Sequence, residues 1–163
     1  MYNDVIILEL LREYLNLTKT TMDIQIATLC DHAADYNGKM IISGTFETLA
    51  ARQFPVVHPH CCLALRICVT PEDTGAHKMA INFIDEDGKQ IDPKMPLKAD
   101  FPVELPDSIS FLSRNLVLNL QGLKFEKEGV YFVDVSIDEE LMTRVPLRVV
   151  DATKLEQQQQ AAQ

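Results

Sequence analysis

The segment HPHCCLALRIC, which begins at His58, holds two histidines and three cysteines, side chains that commonly bind zinc. In an extended strand, His58, His60 and Cys62 point to the same side because successive side chains alternate between the two faces. Three such ligands can converge on a metal if another strand supplies a fourth, and Cys30 or His32 is the candidate for that position. One hypothesis for function is therefore a metal-binding protein or a metal-dependent enzyme.

The alternative interpretation of the same segment is a buried β-strand without chemistry. Pro59 interrupts the strand between the two histidines, and Arg66 on the same face would repel a cation. Free cysteine behaves as a small apolar side chain and is a common filler in protein interiors. We therefore predict no metal, cofactor or catalytic residue here. We expect a core strand whose inward face carries Cys61, Leu63, Leu65, Ile67 and Val69.

Other segments with reactive side chains also have simpler explanations. The run from Asp85 to Gly88 lacks the ligand order of an EF-hand loop, and its Asp-Gly pair predicts a solvated hairpin tip. His32 has acidic neighbours, but a histidine in a turn is commoner than a catalytic base. The chain contains no G-x-S-x-G nucleophile motif, P-loop or dinucleotide-binding glycine pattern. These observations disfavour an enzyme.

The charge balance disfavours two classes of partner. The net charge is −9 and the isoelectric point about 4.8, so phosphate backbones and anionic lipid surfaces repel the protein. We predict no nucleic-acid or membrane binding, which leaves an unknown protein partner or a small ligand. The four cysteines show no secreted disulfide pattern, and the chain opens without a basic leader. We expect a reducing cytoplasm.

The chain begins with a segment of helical periodicity, for which we predict an amphipathic helix over residues 1–21. Its broad apolar stripe includes Ile7, Leu11, Tyr14 and Leu15. Three interpretations of this helix stay open. It docks on the body of the protein, it pairs with a second copy to make a homodimer, or it is an upstream extension before Met22.

From Met22 onward the period of the apolar residues changes from 3.6 to 2, which predicts strands. Turn signals separate most of them, and this spacing favours an antiparallel β-sandwich of about eight strands over residues 22–150. Gly44 falls inside a predicted strand and indicates a bulge or a close backbone contact. Residues 151–163 form a Gln-rich tail with little apolar surface to bury.

Two stretches taken together resemble a known family. They are ATLCDHAADYNGKMIISGTFETL at residues 27–49 and LKFEKEGVYFVDVSIDEELMTRVPLRV at residues 123–149, with INFIDEDGKQI at residues 81–91 between them. This pattern resembles a family of small bacterial cytoplasmic β-sandwich proteins that form a domain of unknown function, over about residues 22–150. The resemblance implies the fold and no catalytic residue. The leading hypothesis for function is thus a non-catalytic binding or assembly domain.

Overall fold

The computed structural model of the protein describes residues 21–154. The predicted N-terminal helix, apart from Thr21, and residues 155–163 of the predicted tail lie outside this range. Within it the chain is mainly β, as predicted. The strands are β1 (Asp23–Tyr36), β2 (Lys39–Thr45), β3 (Thr48–Ala51), β4 (Val56–Val69), β5 (Lys78–Asp85), β6 (Leu97–Asp100), β7 (Leu112–Phe125), β8 (Gly129–Ile137) and β9 (Glu140–Asp151).

The strands form two sheets, a four-stranded sheet of order β2-β1-β4-β7 and a five-stranded sheet of order β3-β9-β8-β5-β6. Neighbours are antiparallel in every pair except β3 with β9, which run parallel from Thr48 opposite Arg148. The prediction of an all-antiparallel arrangement is wrong for this pair. The four residues of β3 are too few to show a period-two pattern in the sequence.

The main core lies between the two sheets. Leu63, Leu65 and Ile67 of β4 enter it from the four-stranded sheet, as the alternation predicted, and Val133 and Val135 of β8 enter it from the other. The rings of Phe125 and Tyr131 pack edge to face in this core, with their centroids 4.9 Å apart. Burial of these side chains is the main source of stability of the fold.

The hairpin of β1 and β2 bends back over the outer face of the four-stranded sheet. The first half of β1 pairs with β4 as far as Cys30 opposite Cys62, and the rest pairs with β2 alone. Near the hairpin tip, Asp35 accepts a hydrogen bond of 2.6 Å from the Asn115 amide of β7, although β4 lies between β1 and β7. We call residues 30–45, which make this excursion, the arm.

A second, small core lies between the arm and the sheet that it covers. Its buried members are Cys30, Ala33, Cys62 and Ala64. All four are small because two backbone layers approach closely here. The four-stranded sheet is consequently buried on both faces in this region, which explains the nearly continuous apolar run of β4.

Gly44 lies where the arm leaves the body, and the structure confirms the predicted close contact. Its φ is +68°, and a Cβ atom at this position would lie 2.3 Å from Oδ2 of Asp31. A side chain would therefore meet both a strained backbone conformation and a steric clash, which only glycine avoids.

Candidate functional site

The two histidines of the HPH segment point in different directions. The His58 ring lies 5.8 Å from the ring of Phe46, which packs against the main core. The His60 ring instead lies on the outer face, with Nε2 3.4 Å from Oδ1 of Asn119. The prediction that His58, His60 and Cys62 share a face is therefore wrong. The alternation of side chains between the two faces of β4 is interrupted at Pro59. The opposite residue of β7, Gly122, also departs from regular strand geometry, with a φ of +66°.

Cys30 of β1 and Cys62 of β4 are opposite each other in the sheet, and both are fully buried in the small core. Cys30 donates a weak hydrogen bond to the Cys62 carbonyl (3.7 Å), and Cys62 donates to Oδ1 of Asn119 (3.3 Å). Burial raises the pKa of Cys30, and the neighbouring Cys62 raises that pKa further. On the main-core side, burial raises the pKa of Cys61 to about 12. The raised pKa values keep the Cys30 and Cys61 thiols protonated, whereas metal binding and nucleophilic attack require the thiolate.

The remaining candidate for the metal site, His32, lies exposed on the arm opposite Ser43. Across the described part of the chain, no three His, Cys, Asp or Glu side chains are grouped so that they could hold a metal ion. Neither Cys30 nor His32 completes a set with His58 and His60, because those two rings lie on opposite sides of the sheet. The structure therefore gives the metal hypothesis no support.

His77, which the sequence did not mark as a site residue, lies at the centre of a network of hydrogen bonds. Its Nδ1 lies 2.6 Å from Oδ2 of Asp138, and its Nε2 lies 2.7 Å from the backbone oxygen of Asp73. Both partners only accept hydrogen bonds, so both ring nitrogens carry a proton and the ring is an imidazolium. Burial lowers the pKa of His77, but its hydrogen bonds to Asp138 and Asp73 outweigh burial and raise that pKa overall.

This imidazolium joins three separate parts of the chain. Asp138 is in the β8–β9 turn, and its other oxygen accepts from the Lys78 backbone N–H (2.9 Å). The Asp73 carboxylate, itself buried, accepts from the Thr21 and Thr70 backbone N–H groups at 2.9 and 2.8 Å. Both ring nitrogens are occupied, so His77 has no free nitrogen for a substrate and serves a structural role. His77 and Asp138 are 61 residues apart in the sequence, and no local signal could have revealed their contact.

The acidic run forms the predicted hairpin tip. One oxygen of the Asp85 side chain accepts hydrogen bonds from the backbone N–H groups of Asp87 (3.0 Å) and Lys89 (2.9 Å). The carboxylate thus closes its own turn, as aspartate commonly does. A shallow cleft of about 460 Å³ lies beside it and is lined by both acidic residues and lysines, among them Lys124 and Lys127. The mixture of charges selects neither anions nor cations.

The most distinctive surface lies where the edges of the two sheets face each other. The 14-residue strand β7 is the edge of the four-stranded sheet, and among residues 21–154 its one hydrogen-bonded neighbour is β4. The edge of the other sheet is the short strand β6. Between them lies an apolar cavity of about 120 Å³, here called the β6–β7 opening. Its lining includes Met79, Ile81, Leu97, Phe101, Leu116 and Leu118.

Exposed apolar side chains occur in the lining of this opening and in the loop that precedes β7. Leu97 is 39% exposed, and in the loop that leads from β6 to β7 Ile109 and Phe111 are 36% and 63% exposed. Native proteins usually shorten, charge or cover an edge strand, because free backbone N–H and C=O groups invite pairing with another segment. The long β7 has apolar surface beside its edge instead, a combination typical of a binding surface. Sequence reasoning missed it because β6 and β7 come together only in the fold.

The fold and these sites define a mainly β, two-sheet domain. The chain belongs to a family of unknown function, DUF6941, whose model matches residues 25–150. This match agrees with the resemblance to an uncharacterised domain drawn from the sequence. No curated protein matches the chain. In the described range, no helix is long and apolar enough to cross a membrane.

One solved structure with a similar chain is the alkylpurine DNA glycosylase AlkC of Pseudomonas fluorescens, bound to DNA that contains an abasic-site analogue. The sequences are 9% identical and the TM-score is 0.43, over 82% of this chain and 31% of that one. The chain thus spans less than a third of that enzyme. A similarity at this level supports no argument about fold or activity.

Proposed function

We propose that the protein is a non-catalytic assembly domain that binds an apolar, extended segment of a partner protein at the β6–β7 opening. One observation supports this most strongly: the edge strand β7, which pairs only with β4 among residues 21–154, runs beside an apolar cavity whose lining includes the exposed Leu97. An added strand would bind through backbone hydrogen bonds to β7, and its alternate side chains would enter the cavity.

Among the described residues that could act as a nucleophile or base, His77, Cys30 and Cys61 lack the accessibility or the pKa that catalysis needs, which supports a non-catalytic role. Both ring nitrogens of His77 are engaged in hydrogen bonds to acceptor oxygens. The buried thiols of Cys30 and Cys61 have raised pKa values. Groups that perform acid–base or nucleophilic chemistry need the opposite, an accessible atom and a pKa near the working pH.

The other features of the proposal rest on the sequence. We place the domain in a reducing bacterial cytoplasm, which fits its four free cysteines. We further propose that the fold is a β-sandwich preceded by an N-terminal helix. The acidic net charge favours a protein partner over nucleic acid or a membrane surface.

A fluorescent peptide of alternating leucine and threonine, ended by lysines, tests the proposed binding mode. We expect saturable binding by the full chain, measured as fluorescence anisotropy. Leu97→Lys should weaken it about tenfold, which corresponds to about 1.4 kcal/mol, because the ammonium group would be placed among apolar side chains. The matched control is Tyr36→Lys, which puts the same residue on the exposed arm. Absence of saturable binding, or equal affinities of both variants, would refute the proposal.

A further inference from the structure

We infer that the partner segment at the β6–β7 opening is strand β7 of a second copy of the same chain. This inference rests on the proposed function, because it names the partner of the same surface. The two β7 strands would pair antiparallel about a two-fold axis, and the two four-stranded sheets would join into one continuous sheet. In such a dimer the same patch serves on both sides of the contact, so the patch must be complementary to itself.

The centre of β7 is complementary to itself in sequence. Residues 115–119 read NLVLN, which is the same in both directions. In an antiparallel pair whose axis passes through Val117, Leu116 lies opposite Leu118 of the second copy, and Asn115 lies opposite its Asn119. Apolar side chains then face apolar side chains, and amides, which both donate and accept hydrogen bonds, face amides. An axis moved by one residue in either direction would place Val117 opposite an asparagine.

The charges of β7 allow two copies to approach each other. The protein has 24 acidic residues, yet residues 112–125 include none of them. The two basic residues of the strand, Arg114 and Lys124, do not oppose each other in this register, because Arg114 lies opposite Leu120 of the second copy. Arg114 is also held on its own copy, since its Nη1 donates to the Pro102 carbonyl (2.5 Å) and its guanidinium lies over the Phe101 ring. The pairing therefore places no like charges opposite each other, an arrangement that would destabilise it.

Pairing of the two strands would cover the β6–β7 opening in both copies. A two-fold axis perpendicular to the sheet keeps the inner faces of both β7 strands on the same side. Leu116 and Leu118, which line the cavity and are half-buried, would thus lie beside the same two leucines of the second copy. The second strand would lie about 4.8 Å farther along the sheet, so its leucines would shield the cavity and the exposed Leu97 from water. Each copy would supply the apolar segment that covers the opening of the other.

The length of β7 also suits this contact. With the axis at Val117, Leu112 lies opposite Gly122 of the second copy, so residues 112–122 of both strands can overlap. Strands in proteins usually have about 5–6 residues, so this overlap is long for a pair of edge strands. Backbone hydrogen bonds along it would satisfy the N–H and C=O groups of β7 that point away from β4.

Val117 offers a direct test, because this register places it opposite Val117 of the second copy. We expect Val117→Lys and Val117→Glu each to raise the Kd of the dimer at least about tenfold, since two like charges would face each other. An equimolar mixture of the two variants should regain the association, because opposite charges then meet on the axis. Sedimentation velocity of the full chain measures this association, since the dimer has twice the 18.4 kDa mass of one chain.

The matched control is Val130→Lys, which places the same residue at an exposed valine of β8 in the other sheet and should associate like the unmodified protein. Val117 also packs against the small core, so circular dichroism must show that its variants are folded. Hydrogen exchange of the unmodified protein gives a second measurement that needs no variant. Amides of residues 115–119 should exchange more slowly at about 100 μM protein than at about 1 μM, while β8 stays unchanged.

The outcomes separate this inference from the proposed function. A protein that stays monomeric at every concentration but binds the leucine–threonine peptide would overturn self-pairing and leave the binding function standing. A monomer that also fails to bind the peptide would overturn both. Dimers that the Val117 variants do not weaken, or that their mixture does not restore, would overturn pairing through β7, and peptide binding would then decide the proposed function separately. If the variants do not fold, exchange at residues 115–119 that is independent of concentration overturns self-pairing.

Discussion

Replacing Asp138 with asparagine is expected to destabilise the protein at pH 6 and to matter progressively less as the pH rises. Asn fits the left-handed backbone of this residue, whose φ is +49°, and its side-chain oxygen can still accept from the Lys78 backbone N–H. The substitution therefore removes mainly the carboxylate charge that faces the His77 imidazolium at 2.6 Å. A conservative change thus isolates one ionic hydrogen bond.

The geometry sets the size of the effect. A hydrogen bond between charged groups contributes about 1.5–3 kcal/mol, but Asp138 is 47% exposed and water screens the interaction. We therefore expect a loss of about 1–2 kcal/mol in the free energy of unfolding at pH 6. The folded pKa of His77 is raised above its unfolded value, so the unmodified protein has this stabilisation in full below about pH 6.5. It loses the stabilisation as the pH rises through the folded pKa of His77. The free energies of unfolding of the variant and the unmodified protein should therefore converge.

Urea unfolding followed by circular dichroism, at pH values from about 6 to 9, measures this convergence. The control is Asp134→Asn, which removes a carboxylate paired with Arg144 at 2.6 and 2.7 Å. Arginine stays charged throughout the range, so the cost of this variant should not vary with pH. The reasoning is refuted if the cost of Asp138→Asn is constant with pH or increases towards alkaline pH.

Two further predictions concern the arm and the thiols. Gly44→Ala should lower the urea midpoint more than Gly38→Ala, because both glycines have positive φ but only Gly44 faces another side chain, that of Asp31. Equal shifts in the two unfolding curves would contradict this account. In the folded protein Cys68, which is partly exposed, should react first with a thiol reagent, whereas Cys61, buried and with a pKa of about 12, should react at the rate of unfolding. Peptide mapping by mass spectrometry would reveal the order, and early labelling of Cys61 would count against it.

Local signals predicted the features that depend on a few neighbouring residues. The hairpin tip at Asp85 and the tight contact at Gly44 were both evident from residue type and position, because Asp-Gly turns and glycines within strands have local causes. The alternation of β4 from Cys61 onward was also correct, since one strand in regular register keeps its period.

The errors arose where two distant segments determine the outcome. The opposite directions of His58 and His60 depend on the way β4 and β7 deviate together near Gly122, 62 residues beyond His60. The contact between His77 and Asp138 joins residues 61 apart. The β6–β7 opening likewise exists only because the two sheets end beside each other. Periodicity describes one strand at a time and has no information on such neighbours.

The arm has a consequence for the dynamics of the protein. Its contact with the sheet buries Cys30 of the arm and Cys62 of β4 and is made mostly of small side chains, so this contact buries little apolar area compared with the main core. Segments with small buried contacts open at a lower free energy than the whole domain unfolds. The two thiols are therefore internal probes of this motion. Their rate of modification in the folded protein would report how often the arm lifts from the sheet, separately from global unfolding.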